Sequence, residues 1–233
     1  DHRDLHSFPT RRSSDLHSLG EYSALVAAKS LQFYDAVKLV RVRGEAMLQA
    51  GIEQPGTMAA IVGLESSKLD EICLLASERG IVQAANYNSP GQIVISGSVE
   101  GVKYAMELCK SGGAKLVKEL VVSGAFHSPL MSSAKDRLVN QINNTPFFDS
   151  KIPVYANVTA KPTYKADEIK DLLVQQLTKP VRWEETIKNM VADGIEEFYE
   201  IGPGKVLQGL VKRIAPEAKV FGIDKYSELE KYL

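Results

Sequence analysis

Residues 57–64 read TMAAIVGL, and this apolar run opens the stretch of sequence that decides the fold. Its length and composition are typical of a buried strand. Three more strand candidates and two helix candidates follow it before residue 123. The strands are predicted at 81–85, 92–96 and 114–121, and the helices at about 67–78 and 99–111. At the start of the first helix, Ser67-x-x-Asp70 has the form of a capping box. The turn-rich residues 86–91 join the second and third strands. The order β-α-β-β-α-β predicts a ferredoxin-like unit.

The sequence on both sides of this unit shows a second α/β pattern. Before it, apolar residues recur at helical spacing over residues 20–29 and 33–50. After it, Ser128-Pro129 predicts a helix N-terminus. Helices are predicted at about 128–143, 166–177, 183–192 and 205–214, and strands at 152–156, 197–201 and 220–223. We therefore predict an α/β fold in which a small domain, residues 55–122, is inserted into a larger domain made of residues 17–54 and 123–233.

The first sixteen residues, DHRDLHSFPTRRSSDL, show neither a helical nor a strand period. The string RDLHSFPTRRSSDL looks like translated sequencing-adapter DNA, so we expect residues 1–16 to be foreign to the protein. The alternatives are a flexible native terminus or an expression tag.

Composition and charge exclude several classes of function. The 28 basic and 29 acidic side chains give a formal net charge of −1 without a long Lys/Arg cluster, which argues against a nucleic-acid binder. No apolar run approaches the roughly 18 residues of a membrane span. Cys73 and Cys109 are the only cysteines and have no metal-ligand spacing, so we predict no metal site and a reducing compartment. We expect a cytoplasmic protein that contacts neither nucleic acid nor membrane.

A candidate nucleophile lies in Leu16-His17-Ser18-Leu19-Gly20. This stretch approximates the nucleophile elbow G-x-S-x-G, in which a strained strand-to-helix turn presents a serine. The helix that follows would supply free N–H groups for a developing oxyanion. Taken alone, Ser18 also fits an ordinary helix-capping serine.

His127 and Arg43 are two further candidates. His127 is the only histidine beyond residue 17, and it stands where a helix is predicted to begin. It is either a general base for a serine distant in sequence or a structural histidine. Arg43 lies in the middle of a predicted helix. It is either a solvated surface residue or a bidentate partner for a substrate carboxylate, a role that lysine fills less well.

Five motifs occur together in one order. They are HSLGEYSAL at residues 17–25, RVRGEAM at 41–47, NYNSPGQIVISG at 86–97, GAFHSPLM at 124–131 and GPGKVL at 202–207. As a set they resemble the malonyl-CoA–acyl carrier protein transacylases of type II fatty acid synthesis. The resemblance implies an α/β-hydrolase-like larger domain with an inserted ferredoxin-like small domain, in agreement with the organisation predicted above.

The resemblance also implies a chemistry that needs no cofactor. Ser18 would attack the malonyl thioester of coenzyme A, and the phosphopantetheine thiol of acyl carrier protein would take the malonyl group from the serine ester. His127 would be the general base and acid. The main-chain carbonyl of Gln176 would orient His127, and Arg43 would pair with the free carboxylate of malonyl.

Other residues receive roles from the same resemblance. The N–H of Leu19 would be one oxyanion donor. In related acyltransferases, a phenylalanine at the position of Phe126 is associated with malonyl rather than methylmalonyl as the substrate. His17, Asn86 and Asn88 would contact the substrate. The resemblance implies a monomer whose partners are acyl carrier protein and the coenzyme A thioester, acting in fatty acid biosynthesis.

The sequence departs from the family at its start. Family members begin with a strand and a GQGSQ-type loop, whose first glutamine supplies the second oxyanion donor, and this sequence lacks both. We therefore expect an N-terminally truncated member of the family. Three alternatives remain: an acyltransferase domain of a polyketide synthase, a serine hydrolase or thioesterase, and a catalytically impaired fragment that at most binds acyl carrier protein. Arg43 argues against the hydrolase, because neutral esters need no buried cation.

Overall fold

A computed structural model describes the main chain of residues 13–231 and the side chains of residues 18–228. Four antiparallel strands form its largest sheet, in the order β2-β3-β1-β4. The strands are β1 (Gly56–Val62), β2 (Val82–Ser89), β3 (Gln92–Ser98) and β4 (Leu116–Leu120). The helices α3 (Ser66–Ala76) and α4 (Val99–Ser111) connect them and pack against each other. This arrangement confirms the predicted ferredoxin-like order.

Side chains alternate between the two faces of this sheet and bury both of them. Ile61, Ile93 and Ile95 join the apolar side chains of α3 and α4 in one cluster. Met58 and Val94 lie on the opposite face and pack with residues of the larger part of the chain. This second face bears on the candidate site, because Phe126, the neighbour of His127, packs against it.

The connection between β2 and β3 differs from the prediction. Residues 86–89 are predicted as part of a turn, but they continue strand β2, and only Pro90 and Gly91 form the turn. Register shifts between Ala84 and Asn86 and between Tyr87 and Ser89 place these residues in the strand. Pairing with β3 therefore overrides the turn preference of the local sequence.

The start of α3 also differs from the prediction. The helix begins at Ser66, and its N-cap Glu65 makes no side-chain cap hydrogen bond, so the capping box predicted at Ser67 is not formed. Helix α4 begins as predicted, and the hydroxyl of its N-cap Ser98 accepts a hydrogen bond from the N–H of Gly101 at 3.3 Å.

Four helices of the larger part share one apolar core. They are α1 (Ser13–Ala27), α2 (Phe33–Glu53), α5 (Ser132–Asn143) and α6 (Ala166–Gln176). Helix α2 ends at Glu53, three residues beyond the predicted range 33–50, and so includes Gly51. A side chain at Gly51 would place its Cβ 2.2 Å from the carbonyl oxygen of Ser123. The glycine therefore serves a close approach of two main chains rather than the end of the helix.

The C-terminal part contains two small sheets and two further helices. β5 (Val154–Tyr155) pairs with β6 (Pro162–Thr163), a short strand that is not among the predicted ones. β7 (Glu197–Ile201) and β8 (Lys219–Ile223) are parallel. The helices are α7 (Trp183–Ala192) and α8 (Val206–Ile214), and two short 3₁₀ segments lie at Pro129–Met131 and Tyr226–Lys231.

The first residues of the chain leave one prediction open and correct another. Residues 1–12 lie outside the described residues, so the foreign origin of residues 1–16 stays a prediction. Helix α1 begins at Ser13, inside the stretch for which no helix is predicted. Between residues 13 and 231, the structure contains no helix with the length and apolar character needed to cross a membrane.

Candidate active site

Ser18 lies at the meeting point of three helices. It is 2% exposed, and its hydroxyl donates to Oε1 of Gln176 at 3.2 Å and accepts a hydrogen bond from Nη2 of Arg43. Arg43 belongs to α2 and Gln176 is the last residue of α6. The fold therefore joins three of the predicted site residues, which are distant in sequence.

The position of Ser18 within α1 corrects two predictions. Ser18 lies inside the helix, not before its first residue, so neither the elbow nor the capping role of Ser18 is formed. Only the first four N–H groups of a helix lack an intrahelical acceptor, and α1 begins at Ser13. Leu19 comes after those four. Its position is inside α1 rather than in the first turn, and its role as an oxyanion donor stays a prediction.

Arg43 is on the buried face of α2. It is 7% exposed, and the buried residues of this helix include Leu39 and Met47, which lie about one turn before and after it. The solvated alternative for Arg43 is therefore wrong, and the reason is the helical period itself: positions four apart share a face. Arg41, two positions away, points to solvent and pairs with Glu45.

The guanidinium of Arg43 is only partly satisfied. Its Nη2 donates to Ser18 Oγ and, at 3.2 Å, to Oε1 of Gln176. Its Nε is buried and has no hydrogen-bond partner. Within residues 18–228 no carboxylate forms an ion pair with it. A buried cation with an unused donor is a place for an anion, because burying a charge without a partner is costly.

His127 is held in a main-chain conformation that is rare for residues with a side chain. Its φ is +57°, in the left-handed region. The next residue, Ser128, caps the 3₁₀ turn at Pro129–Met131 by accepting from the N–H of Leu130. Nδ1 of His127 lies 2.7 Å from the main-chain oxygen of Gln176. A carbonyl only accepts, so the neutral ring carries its proton on Nδ1, and Nε2 keeps its lone pair.

Burial keeps His127 neutral. It is 3% exposed. Burial and, to a smaller extent, the charge of Arg43 lower the pKa of His127 to about 4, against the opposing effect of main-chain hydrogen bonds at Gln176 and Lys179. The imidazole is therefore a base at neutral pH.

The structure shows no direct hydrogen bond between Ser18 and His127, and their pairing stays a prediction. The hydroxyl of Ser18 is engaged by Arg43 and by the side chain of Gln176 instead. Gln176 links the two residues, because its side chain contacts Ser18 and its main-chain oxygen contacts His127.

Glu21 and Asn157 complete the network, and neither is predicted from the sequence as a site residue. The amide Nε2 of Gln176 donates to Glu21 Oε2 at 2.7 Å and to the main-chain oxygen of Ser18 at 3.0 Å. The N–H of Asn157 donates to the same Glu21 oxygen at 3.0 Å. Burial raises the pKa of Glu21, and these hydrogen bonds and the charge of Arg43 oppose that effect. The spacing i, i+3 from Ser18 is the one signal in the sequence that points to Glu21.

The residues predicted to contact the substrate differ in their burial and in their hydrogen-bond partners. Asn86 is fully buried, and neither polar atom of its side chain has a partner; Oδ1 of the buried Asn88 has none either. Phe126 is half-buried and packs against both the helical core and the second face of the sheet. The side chain of His17 lies outside the described residues. Unpaired buried amides are typical of a site that takes a polar ligand.

The groups gathered here are those that acyl transfer uses. The site combines a buried hydroxyl, a neutral imidazole held through Nδ1 and a buried cation. In the part of the chain that the structure describes, no group of three or more His, Cys, Asp or Glu side chains is placed to hold a metal ion.

Comparisons with known proteins give the same family from sequence and from structure. Residues 17–222 match the family described as acyl transferase domain. The chain is 46% identical over 215 residues to the malonyl CoA-acyl carrier protein transacylase of Bacillus subtilis (strain 168), covering 92% of this chain and 68% of that protein. The structure is similar to an acyl carrier protein S-malonyltransferase from Vibrio cholerae, with a TM-score of 0.89 and 42% identity over 93% of this chain and 71% of that one.

A third match includes a carrier protein. It is a chain in the complex of a type II polyketide synthase acyl carrier protein with its malonyl-transacylase, with a TM-score of 0.89 and 40% identity over 93% of this chain and 70% of that one. Across these and further matches the chain spans 64% to 71% of the relatives' length.

Proposed function

Because the chain belongs to the malonyl CoA-acyl carrier protein transacylases, we propose that it transfers malonyl from coenzyme A to the thiol of an acyl carrier protein, in fatty acid biosynthesis. The family relation supports the reaction class, and the residues of the candidate active site support the assignment of roles.

Ser18 is the nucleophile of this proposal. Its Oγ attacks the thioester carbonyl, the C–S bond to coenzyme A breaks, and malonyl remains on the serine as an ester. The thiol of the carrier protein then attacks the ester carbonyl, and the serine oxygen leaves. Covalent catalysis of this kind divides one transfer into two similar steps.

His127 moves the protons of both steps. In the first step, Nε2 takes the proton of the Ser18 hydroxyl and gives it to the departing thiolate of coenzyme A. In the second, it takes the proton of the carrier thiol and returns one to Ser18. The contact of Nδ1 with the Gln176 oxygen supports this role, since it leaves Nε2 as the basic nitrogen.

Arg43 binds the free carboxylate of malonyl, and its burial is the observation that carries the proposal. A hydrolase of neutral esters gains nothing from a buried guanidinium, whereas malonyl brings a carboxylate that must leave water. The unpartnered Nε of Arg43 and the adjacent Nη2 form the edge that a carboxylate engages through two parallel hydrogen bonds.

The hydrogen bonds of Ser18 in this structure run to Gln176 and Arg43. The hydroxyl gives its proton to Oε1 of Gln176 and accepts from the guanidinium of Arg43. For His127 to act as the base, this proton must turn from Gln176 to Nε2 of His127. The malonyl carboxylate would rearrange the contacts of the guanidinium with Ser18 and with Gln176, and an acyl group without a carboxylate would not.

The remaining assignments of this proposal concern the substrate pocket and the setting. Asn86 would donate to and accept from the acyl chain or the pantetheine arm, and Asn88 would accept from it, since both polar atoms of the Asn86 side chain and Oδ1 of Asn88 are buried and unpaired. Phe126 would limit the space beside the malonyl methylene. The small domain would comprise residues 55–122 and the larger one 17–54 and 123–233. We place the protein in the cytoplasm, as a monomer without a cofactor, where the free thiols of Cys73 and Cys109 remain reduced.

A second acceptor is favoured by one comparison. The similarity to a malonyl-transacylase solved with a type II polyketide synthase carrier protein makes such a carrier the alternative partner. The donor chemistry is the same in both cases. Transfer rates to a carrier protein of fatty acid synthesis and to one of polyketide synthesis separate the two.

The test of the proposed function is covalent labelling. The chain is incubated with malonyl-CoA, and intact-mass and peptide mass spectrometry locate the adduct. We expect one malonyl group on Ser18, lost on addition of carrier protein, and no adduct in Ser18→Ala. Labelling at another residue, or none in the wild-type chain, would contradict the proposal.

A further inference from the structure

Gln83 connects the ferredoxin-like sheet to the candidate active site. It lies in β2, between Val82 and Ala84, which both pack into the cluster formed with α3 and α4. Because side chains alternate along a strand, Gln83 points to the opposite face. There its amide Nε2 donates to the main-chain oxygen of His127 at 2.8 Å and to that of Thr178 at 3.2 Å.

The two carbonyls that Gln83 holds belong to the two segments that form the base. His127 carries the imidazole, and Thr178 follows Gln176, whose oxygen contacts Nδ1, by two residues. One amide group therefore ties the base and its orienting carbonyl together. Strand β2, which carries the Gln83 amide, is held in the sheet by antiparallel pairing with β3.

The backbone of His127 needs such support. A φ of +57° is unfavourable for a residue with a Cβ and persists only where surrounding contacts fix it. The main-chain oxygen of His127 has Gln83 as a partner, and the ring has Gln176. Loss of the Gln83 contact would free the peptide that follows His127 to rotate, which would turn the ring away from the Gln176 oxygen.

We propose that Gln83 is a positioning residue for the acyl transfer, which fixes the imidazole of His127 by clamping the carbonyls of His127 and Thr178. The inference rests on the proposed role of His127 as the base. The hydrogen bonds of the Gln83 amide run to His127 and Thr178 and not to Ser18 or Arg43, so we expect it to act through the geometry of His127.

The proposal is tested with Gln83→Met, which keeps the length of the side chain and removes the donor. Gln49→Met is the matched control, because the amide of Gln49 donates to Glu53 on the exposed side of α2. His127→Asn identifies the His127 signal among the four histidines of the chain. The first readout is an NMR titration of His127 in the full chain, and the second is the rate of Ser18 malonylation.

We expect Gln83→Met to raise the pKa of His127 from about 4 by roughly one unit or more, because a relaxed loop admits water to the ring and burial is the main cause of the low value. The malonylation rate constant should fall about 10- to 100-fold, while the malonyl-CoA concentration for half-saturation stays within about twofold. Gln49→Met should change neither readout. A general loss of stability would not move the pKa of His127 in the folded protein.

The outcomes separate this inference from the proposed function. If His127→Asn labels Ser18 as fast as the wild type, the proposed role of His127 is wrong. If His127→Asn is inactive and Gln83→Met keeps both the wild-type titration and the wild-type rate, Gln83 is not a positioning residue. Should Gln83→Met fail to fold, the same readouts are taken on Gln83→Ala, which leaves room for water to reach the two carbonyls.

Discussion

Nδ1 of His127 lies 2.7 Å from the main-chain oxygen of Gln176, a residue 49 positions further along the chain. A carbonyl in this place fixes the ring without adding a negative charge next to it. The imidazole is therefore oriented, neutral and buried, and burial with the nearby Arg43 lowers its pKa to about 4. Two measurable properties depend on that value: the pH dependence of stability and the pH range in which the base is active.

The free energy of unfolding should fall as the pH drops from about 6.5 to about 4. In this pH window His127 is protonated in the unfolded chain and neutral in the folded chain, so proton binding favours the unfolded state. The shift from the ordinary value of 6.5 corresponds to about 3 kcal/mol when complete. Urea unfolding of the wild type and His127→Asn at several pH values measures it. The wild-type slope in this window should be steeper, and equal slopes would show that His127 is not buried as described.

Glu21 should stabilise the fold through the two donors it satisfies. Glu21→Ala would leave Nε2 of Gln176 and the N–H of Asn157 without their buried acceptor, at a cost of about 2–4 kcal/mol. Glu21→Gln keeps an acceptor oxygen and should cost about 1 kcal/mol or less. Glu45→Ala, on the exposed side of α2, is the control and should stay within about 0.5 kcal/mol of the wild type. Equal losses for Glu21→Ala and Glu45→Ala would remove Glu21 from the network.

The difference in stability between the wild type and Glu21→Gln should depend on pH, because only the wild-type residue titrates. Burial raises the pKa of Glu21 above the ordinary value of 4.5, so above pH 4.5 the unfolded chain loses this proton more readily than the folded one. The stability of the wild type relative to Glu21→Gln should therefore fall as the pH rises from 4.5. A difference that grows with pH would contradict the direction of the pKa shift.

The two candidate caps of the ferredoxin-like unit should behave differently. Ser98 caps α4 by accepting from the N–H of Gly101, so Ser98→Ala should cost about 1 kcal/mol. Ser67 lies in the first turn of α3 without capping it, so Ser67→Ala should be close to neutral. Thermal or urea unfolding of both variants checks this. A larger loss at Ser67 than at Ser98 would favour the capping box predicted from sequence.

The ferredoxin-like unit is predictable from sequence because its elements are bounded by local signals. Helix α4 has its capping serine directly before it, and the strands are short apolar runs. The end of β2 was not predictable in the same way. Asn86 and Asn88 have turn propensities, and only pairing with β3, together with a bridge between Asn86 and Val181, holds them in a strand.

The candidate active site also combines features that the sequence predicts with features that it does not. The helical period places Arg43 on the face of α2 that carries Leu39 and Met47, so its burial is contained in the sequence. Gln83 gives no such signal, since its partners lie in segments more than 40 residues away and meet it only after the sheet has packed on the helices. The hydrogen bond from Arg43 to Ser18 is likewise a tertiary property.

The central claim is that Arg43 selects a carboxylate-bearing acyl group, and the most direct measurement is the rate of Ser18 acylation by malonyl-CoA and by acetyl-CoA in the wild type and Arg43→Ala. Removing one member of a buried charge pair costs about 2–5 kcal/mol, so malonylation should slow roughly 30- to several-thousand-fold. Arg43→Lys should recover only part of this, because an ammonium cannot form the two parallel hydrogen bonds. Arg41→Ala, on the exposed face of the same helix, is the control and should leave both rates unchanged.

Acetyl transfer should be unchanged or faster in Arg43→Ala, since acetyl carries no carboxylate and the Ser18 hydroxyl is no longer held by the guanidinium. The predicted result is therefore a selective loss of malonyl transfer. Equal losses for malonyl and acetyl would contradict the claim and would make Arg43 a structural residue.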